Sequence, residues 1–352
     1  MSTSRTEKLD TLDNLIEKEL KPYVKKIDVD AFYAEDFLRK LGEAGLFTLN
    51  GRTKNELLLD ELLIVKEVAK TCMTTAFCLW CHLAALTYVR NTENEQLKVD
   101  VLDKLEDGSI LGGTGLSNPM KYYAGLEDLH LKAVRTTGGY IVSGALPAVS
   151  NLGNNHSFGV IASVNDSERI MCFVSCNAEG ISMKQRNDYL GLNGSATYVC
   201  VFKQVFVPDE RIISEDADVF VKKVRPMFLA YQIPLGFGVT NASIQAIENA
   251  SGKQNGCNKY LQKQPDELNE TNEKFEKELR QLIQSETVDW KALAEIRLGT
   301  TYLTLEAVQT AMLHQGSAAY TKVSPAARRL REAYFLANLT PTVKHLEKIL
   351  SS

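Results

Sequence analysis

The sequence runs to 352 residues, 44% of them apolar and 24% charged, which is enough to enclose a substantial core in a globular chain. Forty basic and 44 acidic side chains are interspersed and leave a formal charge of −4, which excludes a basic surface for nucleic acid or an anionic membrane. No run reaches the roughly 18 apolar residues of a membrane span. The polar start, Met1-Ser2-Thr3-Ser4-Arg5-Thr6-Glu7-Lys8, lacks the apolar segment of a secretion leader, so a cytoplasmic location is expected.

Residues 1–107 are predicted to be helical. Apolar side chains recur at three and four residues through Leu9–Leu20, Phe37–Phe47, Leu57–Val68, Ala76–Val89 and Leu97–Leu105. Within this region Cys78-Leu79-Trp80-Cys81-His82 fits a C-x-x-C-H haem attachment pattern. Haem attachment needs an oxidising compartment, and the surrounding Leu62–Leu86 stretch reads as buried helix, so core residues are expected instead. No second Cys/His pair stands at ligand spacing, so no metal site is expected. Seven cysteines, an odd number at irregular spacing, suit reduced thiols rather than a disulfide framework.

Residues 108–214 change character. Short β-branched and aromatic runs, at 140–142, 158–162, 170–174 and 198–202, alternate with Gly, Asn and Asp clusters and predict an antiparallel sheet or barrel. From 215 to 352 the helical pattern returns, with candidates at Pro226–Ala250 (carrying Gly236 and Gly238), Gln264–Gln284, Asp289–Ala319 and Pro325–Leu350, the last with a break at Pro341. The order predicts an α+β fold of three parts: an N-terminal helical domain (1–107), a middle β-sheet or barrel domain (108–214) and a C-terminal four-helix bundle (215–352).

Specific residues sharpen this. Leu313-His314-Gln315-Gly316-Ser317-Ala318-Ala319-Tyr320, followed by Pro325-Ala326-Ala327-Arg328-Arg329-Leu330-Arg331-Glu332-Ala333, resembles the C-terminal signature of the acyl-CoA dehydrogenase family. So do Glu106–Pro119, ending Leu116-Ser117-Asn118-Pro119, the strand ending Ala148-Val149-Ser150-Asn151, and Gly191–Thr197 with Phe206-Val207-Pro208. The resemblance covers most of the chain. It implies a flavin cofactor, FAD or FMN, with Leu116 and Ser117 on the pyrimidine side of the ring, Ser150 next to N5 and Val149 beside the ring. It further implies Gly316 near the adenosine half, Thr342 at the ribityl–phosphate region and, more loosely, Arg225 bordering the substrate. An electron acceptor or flavin reductase, a small-molecule substrate such as an acyl-CoA, and a homodimer or homotetramer follow from the same resemblance. Taken without it, Ser117 and Ser150 are a turn serine and a strand-end serine.

The sequence also departs from the family pattern. The usual Glu-Gly-Thr reads Thr340-Pro341-Thr342, so Thr340 occupies the position of the catalytic glutamate and the base is unknown. No acid stands at Pro226–Met227, where some members carry the base, and Asn255–Gln262 replaces an Arg-x-x-Phe-Gly that helps to hold FAD. Three functions stay open: an acyl-CoA dehydrogenase-like flavin oxidoreductase with an altered base, a reduced-flavin monooxygenase acting on a small aromatic compound, and a non-catalytic paralogue. Leu339 stands where the monooxygenase branch often has a histidine. Glu332 matches a structural acid of the arginine-rich segment.

Overall fold

In a computed structural model, residues 5–351 are described, and Met1–Ser4 and Ser352 lie outside the described residues, including the start of the predicted helical region. Among the described residues six α-helices precede the sheet: α1 (Arg5–Leu15), α2 (Val24–Val29), α3 (Glu35–Glu43), α4 (Lys54–Thr71), α5 (Met73–Asn91) and α6 (Glu95–Glu106). Helix α4 begins at a capping box in which Thr53 accepts from the Glu56 N–H and the Glu56 carboxylate accepts from the Thr53 N–H. At Cys72 the backbone becomes extended (φ −155, ψ 105) and divides the 62–86 stretch between α4 and α5.

Helix α5 is buried on every side from Met73 to Val89, as an apolar helix without a polar face must be. His82, the last residue of C-x-x-C-H, has both ring nitrogens engaged: Nε2–H donates to the Leu105 carbonyl (3.0 Å) and Nδ1 accepts from the Gly112 N–H (3.1 Å). Burial pushes its pKa down to about 3 and keeps the ring neutral. It ties α5 to α6 and to the first strand.

The sheet comprises β1 (Gly112–Thr114), β2 (Leu131–Thr136), β3 (Gly139–Val149), β4 (Ser157–Ser163), β5 (Arg169–Ser175), β6 (Ile181–Arg186), β7 (Thr197–Pro208) and β8 (Ile212–Ser214), with a short helix α7 (Ser117–Tyr123) after β1. Its order is β6-β7-β3-β2-β4-β5-β8, and β1 pairs with β4. The sheet is mixed, which corrects the antiparallel expectation, because β1 and β2 both run parallel to β4. Strand β1 carries no propensity signal, since two of its three residues are glycine. Glycine is required there: a Cβ at Gly112 would lie 2.3 Å from the Ala85 Cβ of α5.

The C-terminal part holds six helices among the described residues, where a four-helix bundle was expected: α8 (Ala217–Ala230), α9 (Ile233–Glu248), α10 (Pro265–Ile283), α11 (Trp290–Gln315), α12 (Pro325–Asn338) and α13 (Val343–Ser351). The Pro226–Ala250 candidate is really two helices. Asp216 caps α8 by accepting from the Val219 N–H, so this helix begins at Ala217, nine residues before the expected start at Pro226, and the chain turns at Tyr231-Gln232. Gly236 and Gly238 lie on opposite sides of α9, against α11 and α4 respectively. One apolar cluster runs through both helical segments, including Phe37, Leu79, Phe228 and Leu293, while the sheet encloses its own, including Phe158 and Phe202.

Candidate functional site

A cavity of about 200 Å³ opens where α5, the β1–α7 turn, the end of β3, the 189–197 loop, α8 and α12 converge. One side is aromatic. Phe77 stacks on Trp80 at 5.5 Å, Phe335 meets Phe77 edge-on at 4.7 Å, and Phe228 meets Trp80 at 4.8 Å. Such edge and offset contacts fix the rings and keep water out.

Hydroxyls supply the polar edge in two sets. Ser117 Oγ lies 3.1 Å from Thr340 Oγ1. Ser150 Oγ lies 2.7 Å from Thr197 Oγ1, which in turn is 2.8 Å from Ser195 Oγ. Ser117 is the first residue of α7, and Ser150 follows β3 and bridges Thr114, so neighbouring backbone brings the two sets to one cavity. No Asp, Glu, His, Lys or Arg lines it among the described residues. The Cys81 thiol on its wall is pushed well above the usual range by burial and stays protonated.

Both sets rest on buried supports. Asn151 adopts a left-handed conformation (φ +61), which asparagine tolerates. It accepts from Tyr33 OH (2.7 Å), donates from Nδ2 to the Gly112 carbonyl (2.8 Å) and from its N–H to the Ser195 carbonyl (2.9 Å). His156 Nδ1 meets the Asn151 carbonyl at 2.9 Å, and His156 Nε2 is 3.4 Å from the Glu35 carboxylate. On the other side, the Gln232 amide donates to the Thr340 carbonyl (2.9 Å). Gln232 in turn accepts from Arg297 Nε (3.2 Å). Arg297 is fully buried and among the described residues meets neutral acceptors only, Gln232, Thr301 and the Leu336 carbonyl.

The Glu35 link has a pH signature. The hydrogen bond to His156 first, and Arg39 after it, hold the Glu35 carboxyl down at about 2, against the opposing effect of partial burial. A depressed carboxyl contributes stability above its unfolded value of 4.5 that is lost as pH falls through about 2. Because the Glu35 side chain is 38% exposed, Glu35→Gln should cost no more than about 1 kcal/mol at neutral pH. In urea melts the gap between the two proteins should narrow steadily as the pH is lowered from 4.5. A gap that stays constant there means that this carboxylate contributes nothing through its charge.

Of the residues singled out in the sequence, Ser117, Ser150 and Thr340 line the cavity, with Leu339 beside them. Leu116 and Val149 are buried directly next to the two serines. Thr342 lies two residues beyond Thr340, and its buried Oγ1 has no hydrogen-bond partner. Gly316 ends α11 with φ +64 and open space around it. Arg225 stacks on Trp290 at 4.8 Å, away from the cavity lining. Glu332 is buried in a pair with Arg328 (3.0 Å) and accepts from the Met73 N–H. Sequence reasoning missed Tyr189, Ser195 and Thr197 as lining residues, along with the four aromatic side chains, which at helical spacing read as ordinary core.

Residues 3–109 match the acyl-CoA dehydrogenase N-terminal domain. The chain is 24% identical over 256 residues to a short-chain-specific acyl-CoA dehydrogenase of Clostridium acetobutylicum, an alignment covering 70% of this chain and 65% of the relative. The chain thus spans just under two thirds of that relative's length. Among solved structures, butyryl-CoA dehydrogenase from Megasphaera elsdenii superposes with a TM-score of 0.88 at 17% identity, over 100% of this chain and 98% of the other. PigA with FAD and proline superposes with a TM-score of 0.83 at 15% identity, over 99% and 97%.

Proposed function

We propose that the chain is a flavin-dependent oxidoreductase of the acyl-CoA dehydrogenase family, whose cavity seats the ring of FAD beside a short acyl thioester. The observation that carries this reading is a single uncharged cavity with an aromatic wall and two hydroxyl sets, Ser117–Thr340 and Ser150–Thr197–Ser195. A flavin ring, apolar on its faces and polar along its edges, matches such a lining. At about 200 Å³ the cavity falls short of the roughly 300 Å³ at which drug-sized ligand sites begin, so it suits a ring rather than a whole dinucleotide. The remainder of FAD would extend outwards, with the unpartnered Thr342 hydroxyl and the open Gly316 turn as its candidate contacts. FMN, lacking the adenosine half, is the alternative cofactor.

When bound, the flavin supplies hydride acceptance at N5. The chain's own contribution is to hold the ring edge through Ser117 and Ser150, backed by Leu116 and Val149, and to exclude water with Phe77, Trp80, Phe228 and Phe335. The same aromatic side chains limit the acyl group to a short one. Thr340 offers a hydroxyl where a carboxylate base would be expected, so removal of the α-proton is slow. Arg225, stacked on Trp290, has no assigned part in this chemistry. A separate electron acceptor, a homodimer or homotetramer, and a cytoplasmic location complete the proposal. Six buried free cysteines are consistent with that location.

The uncharged lining also favours a second reading, in which reduced flavin from a reductase oxygenates a small substrate without a protein carboxylate. An absorption spectrum of the purified protein with added FAD, followed by anaerobic butyryl-CoA, separates the two. Flavin binding with slow bleaching by butyryl-CoA is the expected result. A bound reduced flavin that reacts with oxygen and ignores butyryl-CoA favours the oxygenase. A protein indifferent to FAD, FMN and butyryl-CoA overturns both readings and leaves a non-catalytic paralogue.

A further inference from the structure

Tyr189 lines the cavity, and its phenol oxygen is shielded from solvent without a hydrogen-bond partner among the described residues. Buried hydroxyls are rarely left so, because each loses its water without compensation. Nothing about the loop is slack enough to explain it. Asn193 clamps the Tyr189 backbone from both sides, accepting from its N–H (3.0 Å) and donating to its carbonyl (2.9 Å). The Arg186 guanidinium lies over the Tyr189 ring at 4.9 Å and leans towards Asp188 at 3.3 Å. Gly191 runs so close to α12 that a Cβ would sit 3.0 Å from the Arg331 Cβ. The ring is therefore held in place, and its hydroxyl end is left unmatched by the protein.

We propose that Tyr189 is a ligand-binding residue, whose phenol donates a hydrogen bond to a carbonyl oxygen of the group that fills the cavity. Two carbonyl sources fit, the flavin ring edge and the acyl thioester, and the assignment rests on the flavin reading above. Burial raises the Tyr189 pKa, which keeps the phenol protonated and fits it to donate rather than to act as a base. The cavity's other hydroxyls are paired with one another, and the charged neighbours of the phenol, Arg186 and Asp188, act in opposite directions.

The test compares the wild-type protein with Tyr189→Phe, which keeps the ring and removes the oxygen. Three quantities are read: Tm without ligand, Kd for FAD by fluorescence quenching, and Kd for butyryl-CoA on the FAD-loaded protein. The ligand-free Tm should stay level or rise, since an unsatisfied group has been deleted. One Kd should weaken about fivefold, the effect of one hydrogen bond. Weakening in the FAD arm identifies the flavin as the carbonyl source, and weakening in the butyryl-CoA arm identifies the thioester. Equal binding by both proteins overturns the tyrosine assignment alone, whether or not Tm falls. Failure of the wild-type protein to bind FAD or FMN is seen before the variant is made and removes the flavin reading, with the assignment built on it.

Discussion

Replacing Gly238 with alanine should destabilise the protein by about 3 kcal/mol, the upper end for overpacking a filled core. An added Cβ would lie 2.4 Å from the Lys66 carbonyl oxygen, 2.6 Å from the Lys70 nitrogen and 2.6 Å from the Ala69 Cβ. Two of these are backbone atoms of α4, which cannot rotate out of the way. Relief requires α4 and α9 to move apart, and both belong to the cluster that joins the helical segments. Alanine's better helix propensity recovers only about 0.5–1 kcal/mol. Gly236 is the internal control. Two residues turn a helix by roughly 200°, so it faces α11 instead, where a Cβ would meet Thr300 Cγ2 at 2.5 Å and Thr304 Oγ1 at 2.8 Å. Those are side-chain atoms with other rotamers available, and Gly236→Ala should cost less. Urea denaturation of the two variants gives the ranking. If Gly238→Ala is no worse than Gly236→Ala, the backbone approach of α4 to α9 is not what sets the penalty.

Placing a carboxylate at Thr340 should accelerate bleaching of the bound flavin by butyryl-CoA about 100-fold, the lower range for a positioned general base. Thr340 is on the cavity wall, and no charged side chain lines that wall among the described residues. A glutamate there would be desolvated, which raises its pKa towards neutrality, while Arg297 behind Gln232 opposes the rise. Only the ionised form can take a proton, so the rate should climb with pH until it passes the raised pKa. Thr340→Gln matches the glutamate in size and loses the Ser117 contact equally, but it cannot act as a base. The comparison of Thr340→Glu with Thr340→Gln therefore isolates proton removal. Equal rates for these two variants would mean that α-proton removal does not limit the reaction.

The periodicity of the sequence located the helices well because burial and helical period coincide in them. Helix α10, with a polar outer face, and α6, between Asn94 and Asp107, are clear cases. Pattern failed where backbone, rather than side chains, decided the outcome. Strand β1 is glycine and threonine, and its position depends on the space left by α5, which no local propensity encodes. The division of 217–248 into two helices depends on a turn at Tyr231-Gln232, inside an otherwise largely apolar run. In the site, Ser117, Ser150 and Thr340 could be picked out because each sits in a motif with a fixed order along the chain. Tyr189 and Phe335 could not. Their meeting at one cavity is a product of tertiary packing between segments almost 150 residues apart.

The distribution of sulfur follows from the same closed packing. Six of the seven cysteines are buried and only Cys257 is exposed, in the segment between α9 and α10. Burial raises the pKa of all six inner thiols, from Cys72 through Cys200, so thiolate is scarce there as well as shielded. An electrophile meeting the native protein thus finds one target, and the unfolded chain offers it seven. Alkylation stoichiometry becomes a direct count of how much of the population has opened.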